Sequence, residues 1–392
     1  MKNPILVLNC GSSSIKYALL NDDDTPRIQG LAENLGLDTA RIRHTDPSGE
    51  KTEIALAGAS HRWALQKILG LLKDYEIVAV GHRVVHGGRE FSQAVLVDDH
   101  VLTEVKRLKV LAPLHNPAHA LGIEAVKALY PDMPQVAVFD TAFHQTMPPK
   151  AFRYAIPKEL YQEHYIRRYG FHGSSHAYVS SRADALSNAS EERGWITAHL
   201  GNGCSVTAVG NGISLDTSMG LTPLEGLVMG SRSGDVDPSL HFHLHRTLGY
   251  TWEQIETMYN KQSGLVGLSG VSSDMRSVQQ AADEGDVDAK LAIDVFCYKA
   301  ARYIASLSCA LPVFTGIVFT GGIGENAPLI RAKILANLPH FGIAFNEDKN
   351  ASLSRGKEGS FHQAGSQLQL WVIPTDEEAQ VAKETKEVLG MV

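Results

Sequence analysis

Three strand-like segments each end in a run of small residues that could hold a phosphate. Asn9-Cys10-Gly11-Ser12-Ser13-Ser14-Ile15-Lys16 joins a flexible turn, hydroxyls and a cation. Amides exposed by such a turn can cradle phosphate oxygens, and Lys16 can neutralise them. The run is not a P-loop, because the Gly-x-x-x-x-Gly-Lys-Ser/Thr spacing is absent and it leads into a strand. His199-Leu200-Gly201-Asn202-Gly203 is a second turn, with glycines that permit positive φ and close approach of a ligand. Gly321-Gly322-Ile323-Gly324-Glu325-Asn326 is a third, half of a dinucleotide fingerprint without its last glycine. Any one of them fits an ordinary hairpin or turn equally well. Together they point to a nucleotide held between two lobes. A separate run, His241-Phe242-His243-Leu244-His245, would converge three imidazoles if it were a strand. The preceding Asp237-Pro238-Ser239 suits a helix start instead, and a helix aligns only positions 241 and 245.

These turns need strands to carry them. Residues 4–8 and 15–20 read as a hairpin, closed by the acidic residues 21–24. Residues 195–200 and 206–209 repeat the pattern about half a chain later, with Asn211-Gly212 as a hairpin turn. This internal repeat predicts two related domains. Between the hairpins come a helix at 61–72, a strand at 77–80 running into Gly81-His82-Arg83, and a helix at 117–129 with Asn116 as its cap. A strand follows at 135–139 and ends at Asp140. Later, 287–307 reads as a long helix, 316–320 as a strand, the stretch after Pro328 as helical, and 371–373 as a last strand. Thr375 with Glu378 fits a capping box opening a terminal helix. Mixed strands and helices make an α/β protein whose ligands gather at strand carboxyl ends.

The chain has 392 residues, enough for two or three domains. Its net charge of −7 argues against nonspecific binding to nucleic acid or membrane surfaces. Four cysteines without a Cys-x-x-Cys pair read as reduced thiols in a cytoplasmic protein. Neither the first residues nor the apolar run at 311–319 is long enough to target or span a membrane.

The motifs closely resemble those of the acetate kinases. They are residues 9–16, Gly81-His82-Arg83-Val84-Val85-His86-Gly87-Gly88, Phe139-Asp140-Thr141-Ala142-Phe143-His144, Tyr169-Gly170-Phe171-His172-Gly173, residues 199–203, Gly230-Ser231-Arg232-Ser233-Gly234-Asp235, residues 322–326 and residues 374–378. They span nearly the whole chain in the family's order. The resemblance implies two similar actin-like, ribonuclease H-like α/β domains flanking a nucleotide cleft. The first would cover 1–145 and be completed by a helix at 378–392, and the second would cover 146–377. It implies reversible transfer of phosphoryl from ATP to acetate, giving acetyl phosphate and ADP, in the route to acetyl-CoA. It also implies Mg2+ (with Mn2+ an alternative ion) and a cytoplasmic homodimer. A propionate or butyrate kinase would share the mechanism, and an actin-like ATPase would share only the fold.

An acetate oxygen is ionised at neutral pH and needs no general base. The difficulty is bringing an anion up to a polyanion, so the enzyme must supply positive charge and alignment. Arg83 and Arg232, read as lying in glycine-bounded loops, suit this because guanidinium grips carboxylate or phosphate bidentately. The resemblance places Arg83 at the acetate carboxylate, and Arg232 and His172 at the phosphoryl group, with His115 assisting. It makes Asp140 catalytic, and since no proton must leave, the expected role is to orient Arg83 or a metal-bound water. It matches Asn9 and Glu377 to the metal, and Val85, Leu114, Phe171 and Pro223 to the acetate methyl. Nucleotide contacts fall to Lys16, His199, Leu200, Gly201, Asn202, Gly203, Asp274, Met275, Arg276, Gly322, Ile323, Gly324, Glu325 and Asn326. Met275 departs from the aromatic residue expected there. Cys10 and Cys204 lie in two of the turns, so thiol reagents are expected to obstruct them.

Overall fold

The computed structural model of the chain describes residues 4–21, 26–112, 115–187 and 192–391. It divides into two compact units, Met1–Gln145 with Asp376–Val392, and Thr146–Thr375.

The first unit is built on an eight-stranded sheet: β1 (Ile5–Cys10), β2 (Ile15–Leu20), β3 (Pro26–Glu33), β4 (Arg41–Thr45), β5 (Lys51–Ala55), β6 (Ala79–Val84), β7 (Val95–Leu96) and β8 (Gln135–Phe139), in the order β5-β4-β3-β2-β1-β6-β8-β7. The second has six strands: β9 (Gly194–Leu200), β10 (Cys204–Gly210), β11 (Ile213–Thr217), β12 (Gly316–Thr320), β13 (Gly359–Ser360) and β14 (Gln369–Val372), in the order β11-β10-β9-β12-β14-β13. The central five strands match. In each unit the first three strands form an antiparallel meander, and two further strands add in parallel beside the first. The sequence repeat is therefore a repeat of topology, and the two units are similar α/β folds.

In the first unit both faces of the sheet are covered, which positions the chemistry. Alternate residues of β6 point to opposite faces. His82 faces the helix Asn116–Leu129, where Cys10 and His82 lie close over Gly122. Gly81 faces the last helix, Glu377–Val388: a Cβ there would lie 2.5 Å from Thr385 Oγ1 and 2.8 Å from Val381 Cγ1. Only a glycine lets that helix pack so tightly. Arg83, two residues on, emerges on the same face, at the end where the helix begins. In the second unit the helix Gly173–Ser187 packs on β9 and β12 through Val179, Ala183, Trp195 and Val318, and Val287–Leu307 packs against β9 and β10.

Several expectations change. Arg83 lies in strand β6, not in a loop. Asn116 does not cap its helix; its amide instead accepts from the His86 amide at 3.2 Å and donates to the His86 carbonyl at 3.0 Å. The cap of the last helix is Asp376, which accepts from Ala379 N at 2.9 Å, rather than Thr375. Residues 321–326 form a short helix directly after β12 rather than an open turn. The His241 segment is helical, Ser239–Leu248, as the Asp237-Pro238-Ser239 start implies; His241 bonds the Pro238 carbonyl and His245 the Tyr250 carbonyl, each at 2.8 Å. Most of the acidic turn at 21–24 lies outside the described residues.

Candidate active site

Each unit presents its own half of the chemistry. In the first, β6 and β8 run parallel with Val84 opposite Phe139, so Asp140 leaves β8 beside Arg83. The two make a bidentate pair, Arg83 Nε and Nη2 donating to the two Asp140 oxygens at 2.8 Å each. Glu377, first in the last helix, adds a carboxylate 3.2 Å from Nη2. Burial disfavours the Arg83 charge, but Asp140 and then Glu377 more than restore it, and its pKa is raised. Burial pushes the Asp140 carboxyl up, against the pull of Arg83. The arginine is thus locked in orientation with its charge assured.

The cluster holds one cation and two carboxylates, an excess of one negative charge. Asn9 is the last residue but one of the neighbouring strand β1, where Leu8 pairs with His82. The Asn9 amide and the Glu377 carboxylate are hard oxygen donors, and with the local negative excess they suit a small divalent cation. Lys16, opposite Asn9 in the β1–β2 hairpin, is ion-paired to Glu378 at 2.6 Å and remains half exposed. Val85 is buried just beyond β6, and His115 precedes the helix Asn116–Leu129 without capping it. Leu114 lies outside the described residues.

In the second unit the loop between β11 and the helix Ser239–Leu248 carries Arg232. Arg168 shapes the base of that loop. Its Nη1 donates to the carbonyls of Thr217 and Ser218 at 2.8 and 3.0 Å, and its Nη2 pairs with Glu225 at 2.6 Å. Tyr154 also donates to Glu225, and Tyr303 to Asp235. Asp235 accepts from Gly226 N at 2.8 Å and so closes the loop on itself. Gly226 and Gly234, at φ +112 and +68, have carbonyls crowding the space a Cβ would need. Arg232 Nη1 donates to the Pro223 carbonyl at 2.8 Å and touches Met229 sulfur. Among the described residues no carboxylate pairs with Arg232, and burial lowers its pKa with little to oppose it. Arg232 is half-buried, and a guanidinium partly withdrawn from water gains when an anion arrives beside it.

That anion has a place beside it. A Cβ added at Gly203 would lie 3.4 Å from His172 Cε1 and Nε2 and 3.6 Å from Arg232 Nη1. His172, in the left-handed region at φ 57, stacks on His199 with ring centroids 4.3 Å apart. Phe171 before it is buried. A cavity of about 480 Å³ adjoins the 201–203 turn, within the usual range for small-molecule sites. It is lined by Gly201, Asn202, Asp274, Met275, Arg276, Gly322, Ile323 and Asn326, and also by Ser273, Gln279 and Ala327, which the motifs did not flag. Met275 is almost wholly buried, opening the helix Met275–Asp283 that Asp274 caps through Arg276 N at 2.8 Å.

Other expected nucleotide residues serve as framework. Glu325 Oε1 accepts from Gly321 N at 2.9 Å and Thr375 N at 3.1 Å, tying the short helix to the end of the sheet. Leu200 is buried in β9, and Gly324 is buried against Leu200 and Ala198. Cys10 and Cys204 are buried, with thiols pushed up to about 12 by burial, so they are poor targets for thiol reagents, contrary to expectation. Sequence reasoning missed Ser205 and His176, which bond the His172 ring directly and through each other. The signal was there: His176 stands one helical turn after His172.

The acetokinase family profile matches residues 4–383. The chain is 53% identical over 390 residues to the acetate kinase of Ectopseudomonas mendocina (strain ymp), covering 98% of each. Among solved structures, a propionate kinase from Francisella tularensis subsp. tularensis SCHU S4 superposes with a TM-score of 0.94 at 45% identity, over 98% of this chain and 100% of that one. Porphyromonas gingivalis acetate kinase superposes with a TM-score of 0.92 at 43% identity, over 99% and 100%.

Proposed function

The chain belongs to the acetokinase family, and from that premise we infer that it is an acetate kinase, moving phosphoryl between ATP and acetate. The observation that carries the reading is Arg232: a half-buried cation with no carboxylate partner among the described residues, beside an imidazole and a glycine turn, calls for a phosphate.

The residues have distinct tasks in this reaction. The acetate carboxylate is already a nucleophile, so no residue takes a proton from it. Arg83, held flat by Asp140, grips that carboxylate; Asp140 is an orienting group rather than a base. Arg232 and His172 receive the phosphoryl oxygens, where charge spreads as the P–O bonds exchange. An arginine so placed contributes on the order of 10³- to 10⁵-fold in rate. The cavity next to the 201–203 turn holds the nucleoside, with Met275 in its wall. Lys16 and the 201–203 turn meet the phosphates.

Mg2+, or Mn2+ in its stead, would be held by Asn9 and Glu377. Among the described residues no cluster of His, Cys, Asp and Glu could hold an ion by itself, so phosphate and water would supply most of its ligands. Bound there, the ion neutralises phosphate charge. A homodimer in the cytoplasm belongs to the same proposal; light scattering of the purified protein tests the dimer.

Val85, Phe171 and Pro223 would limit the acyl chain. One methylene changes discrimination by only about 1 to 3 kcal/mol. The propionate kinase likeness makes propionate the substrate to compare. Hydroxylamine trapping of the acyl phosphate across acetate, propionate and butyrate decides it: the highest kcat/KM is expected on acetate. Equal values on all three would refute a methyl-sized pocket, and a propionate preference would make the enzyme a propionate kinase.

A further inference from the structure

We propose that Ser205, His176 and Thr197 form a hydrogen-bonded relay that fixes the tautomer of His172. The relay keeps the proton on Nε2, the nitrogen that meets the phosphoryl group. This rests on the acetate kinase reading and deepens it.

The chain of contacts is continuous. His172 Nδ1 lies 2.9 Å from Ser205 Oγ. The same oxygen lies 2.7 Å from His176 Nε2. His176 Nδ1 lies 2.7 Å from Thr197 Oγ1, and that hydroxyl lies 3.4 Å from the Thr207 carbonyl. Ser205, His176 and Thr197 are fully buried, so water does not compete for these bonds. The backbone joins in, with His176 N donating to the His172 carbonyl at 3.0 Å.

Each hydroxyl has one proton, and a neutral imidazole has one donor and one acceptor. For neutral rings the relay therefore has only two polarities. In one, Thr197 donates to His176 Nδ1, His176 Nε2 donates to Ser205, and Ser205 donates to His172 Nδ1. His172 then carries its proton on Nε2. In the other, every bond is reversed, Thr197 donates to the Thr207 carbonyl, and His172 Nε2 presents an acceptor lone pair. The first places the Thr197 proton across 2.7 Å, and the second places it across 3.4 Å, beyond good hydrogen-bond length.

The site selects the same polarity. His172 Nε2 and Arg232 Nη1 border the same spot over Gly203. A lone pair there would repel phosphoryl oxygens, whereas an N–H joins the guanidinium in attracting them. A second arm runs in the same sense: Thr375 Oγ1 donates to Ser175 Oγ at 2.8 Å, and Ser175 Oγ lies 2.8 Å from His199 Nδ1. The stacked His199 ring is then also protonated on Nε2. Ser205, His176 and Thr197 are positioning residues, acting on the phosphoryl group only through His172. The tautomer of an imidazole is set by the bond its other nitrogen makes.

The test is a long-range 15N–1H correlation spectrum of the full-length enzyme labelled at its histidine nitrogens, with His172→Asn to identify the ring. A neutral ring with its proton on Nε2 is expected, free and with ADP bound. A proton on Nδ1, or on both nitrogens, overturns the proposal. In parallel, Ser205→Ala should lower kcat by about 10- to 100-fold, the scale for losing the outer partner of a functional imidazole. Both KM values should stay within about threefold, since the lost interaction acts in the transition state. Ser205→Thr, which keeps the hydroxyl, should recover most of the rate. Wild-type kcat in Ser205→Ala also overturns the proposal. If that variant fails to fold, the wild-type spectrum alone decides. Absence of acyl phosphate with the wild-type enzyme would sink the functional reading, while the spectrum would still settle the tautomer.

Discussion

Removing Arg83 should harm the fold more than removing Asp140, and by an amount that grows with pH. The Arg83 side chain is 17% exposed and holds Asp140, 3% exposed, and Glu377, 20% exposed. Arg83→Met leaves two carboxylates facing each other without their cation. Stripping a buried pair of one partner costs about 3–5 kcal/mol. Asp140→Asn leaves Arg83 paired with Glu377, and loses charge-assisted hydrogen bonds worth about 1.5–3 kcal/mol. The sign of the pH dependence follows from linkage. Without Arg83, the folded-state pKa of the Asp140 carboxyl rises further above the unfolded value of about 4. The folded variant then binds protons more tightly than the unfolded chain, so its stability falls as pH rises through and above that value. The gap of about 2 kcal/mol between the two variants at pH 8 should shrink towards zero near pH 5. The double variant Arg83→Met/Asp140→Asn should be more stable at pH 8 than Arg83→Met alone, because one orphaned charge has gone. Urea unfolding followed by circular dichroism at both pH values measures all four proteins. A pH-independent cost for Arg83→Met, or a double variant weaker than the single, would refute this electrostatic account.

Two further predictions concern the same sheet. His82 is buried and bonds Gln135 at 2.8 Å, and burial takes its pKa down to about 4. Its contribution is intact above the unfolded value of about 6.5 and is lost as pH falls towards 4, a change of about 3 kcal/mol. Urea unfolding between pH 4 and 7 should show this slope, and His82→Leu should flatten it while lowering stability overall. Gly81→Ala should destabilise by about 1–3 kcal/mol through overpacking against the last helix. Its thermal unfolding and acetate KM should both move, because that helix begins at Glu377; an unchanged melting temperature would show that the helix yields freely.

Much of the framework was legible because its signals are local. Gly316–Thr320, Gln135–Phe139 and Val287–Leu307 are apolar runs or helical periods bounded by clear breaks, and they fold as read. The meander beyond β2 was not legible. β4 and β5 are short and mostly polar, β5 is largely exposed, and both are held by pairing and by cross-strand ion pairs such as Arg41 with Glu33 at 2.7 Å. Asn116 and Thr375 have the types of capping residues, yet tertiary partners claim them: the His86 backbone and the Ser175 hydroxyl. The glycine turns and both arginines stood out by composition. The partners that set their behaviour are distant in sequence, as with Asp140, 57 residues from Arg83, and Ser205, 33 residues from His172. Chain reading finds groups with strong chemistry but not the buried hydroxyls that orient them.

The most direct test of the account is hydroxylamine-trapped acetyl phosphate formed by Arg232→Ala, with nucleotide binding measured alongside by calorimetry. The account predicts transfer reduced by about 10³-fold or more, while ADP still binds in the cavity beside the 201–203 turn. Transfer within tenfold of wild type would contradict it, because the Arg232 guanidinium would then not be what stabilises the phosphoryl group in flight.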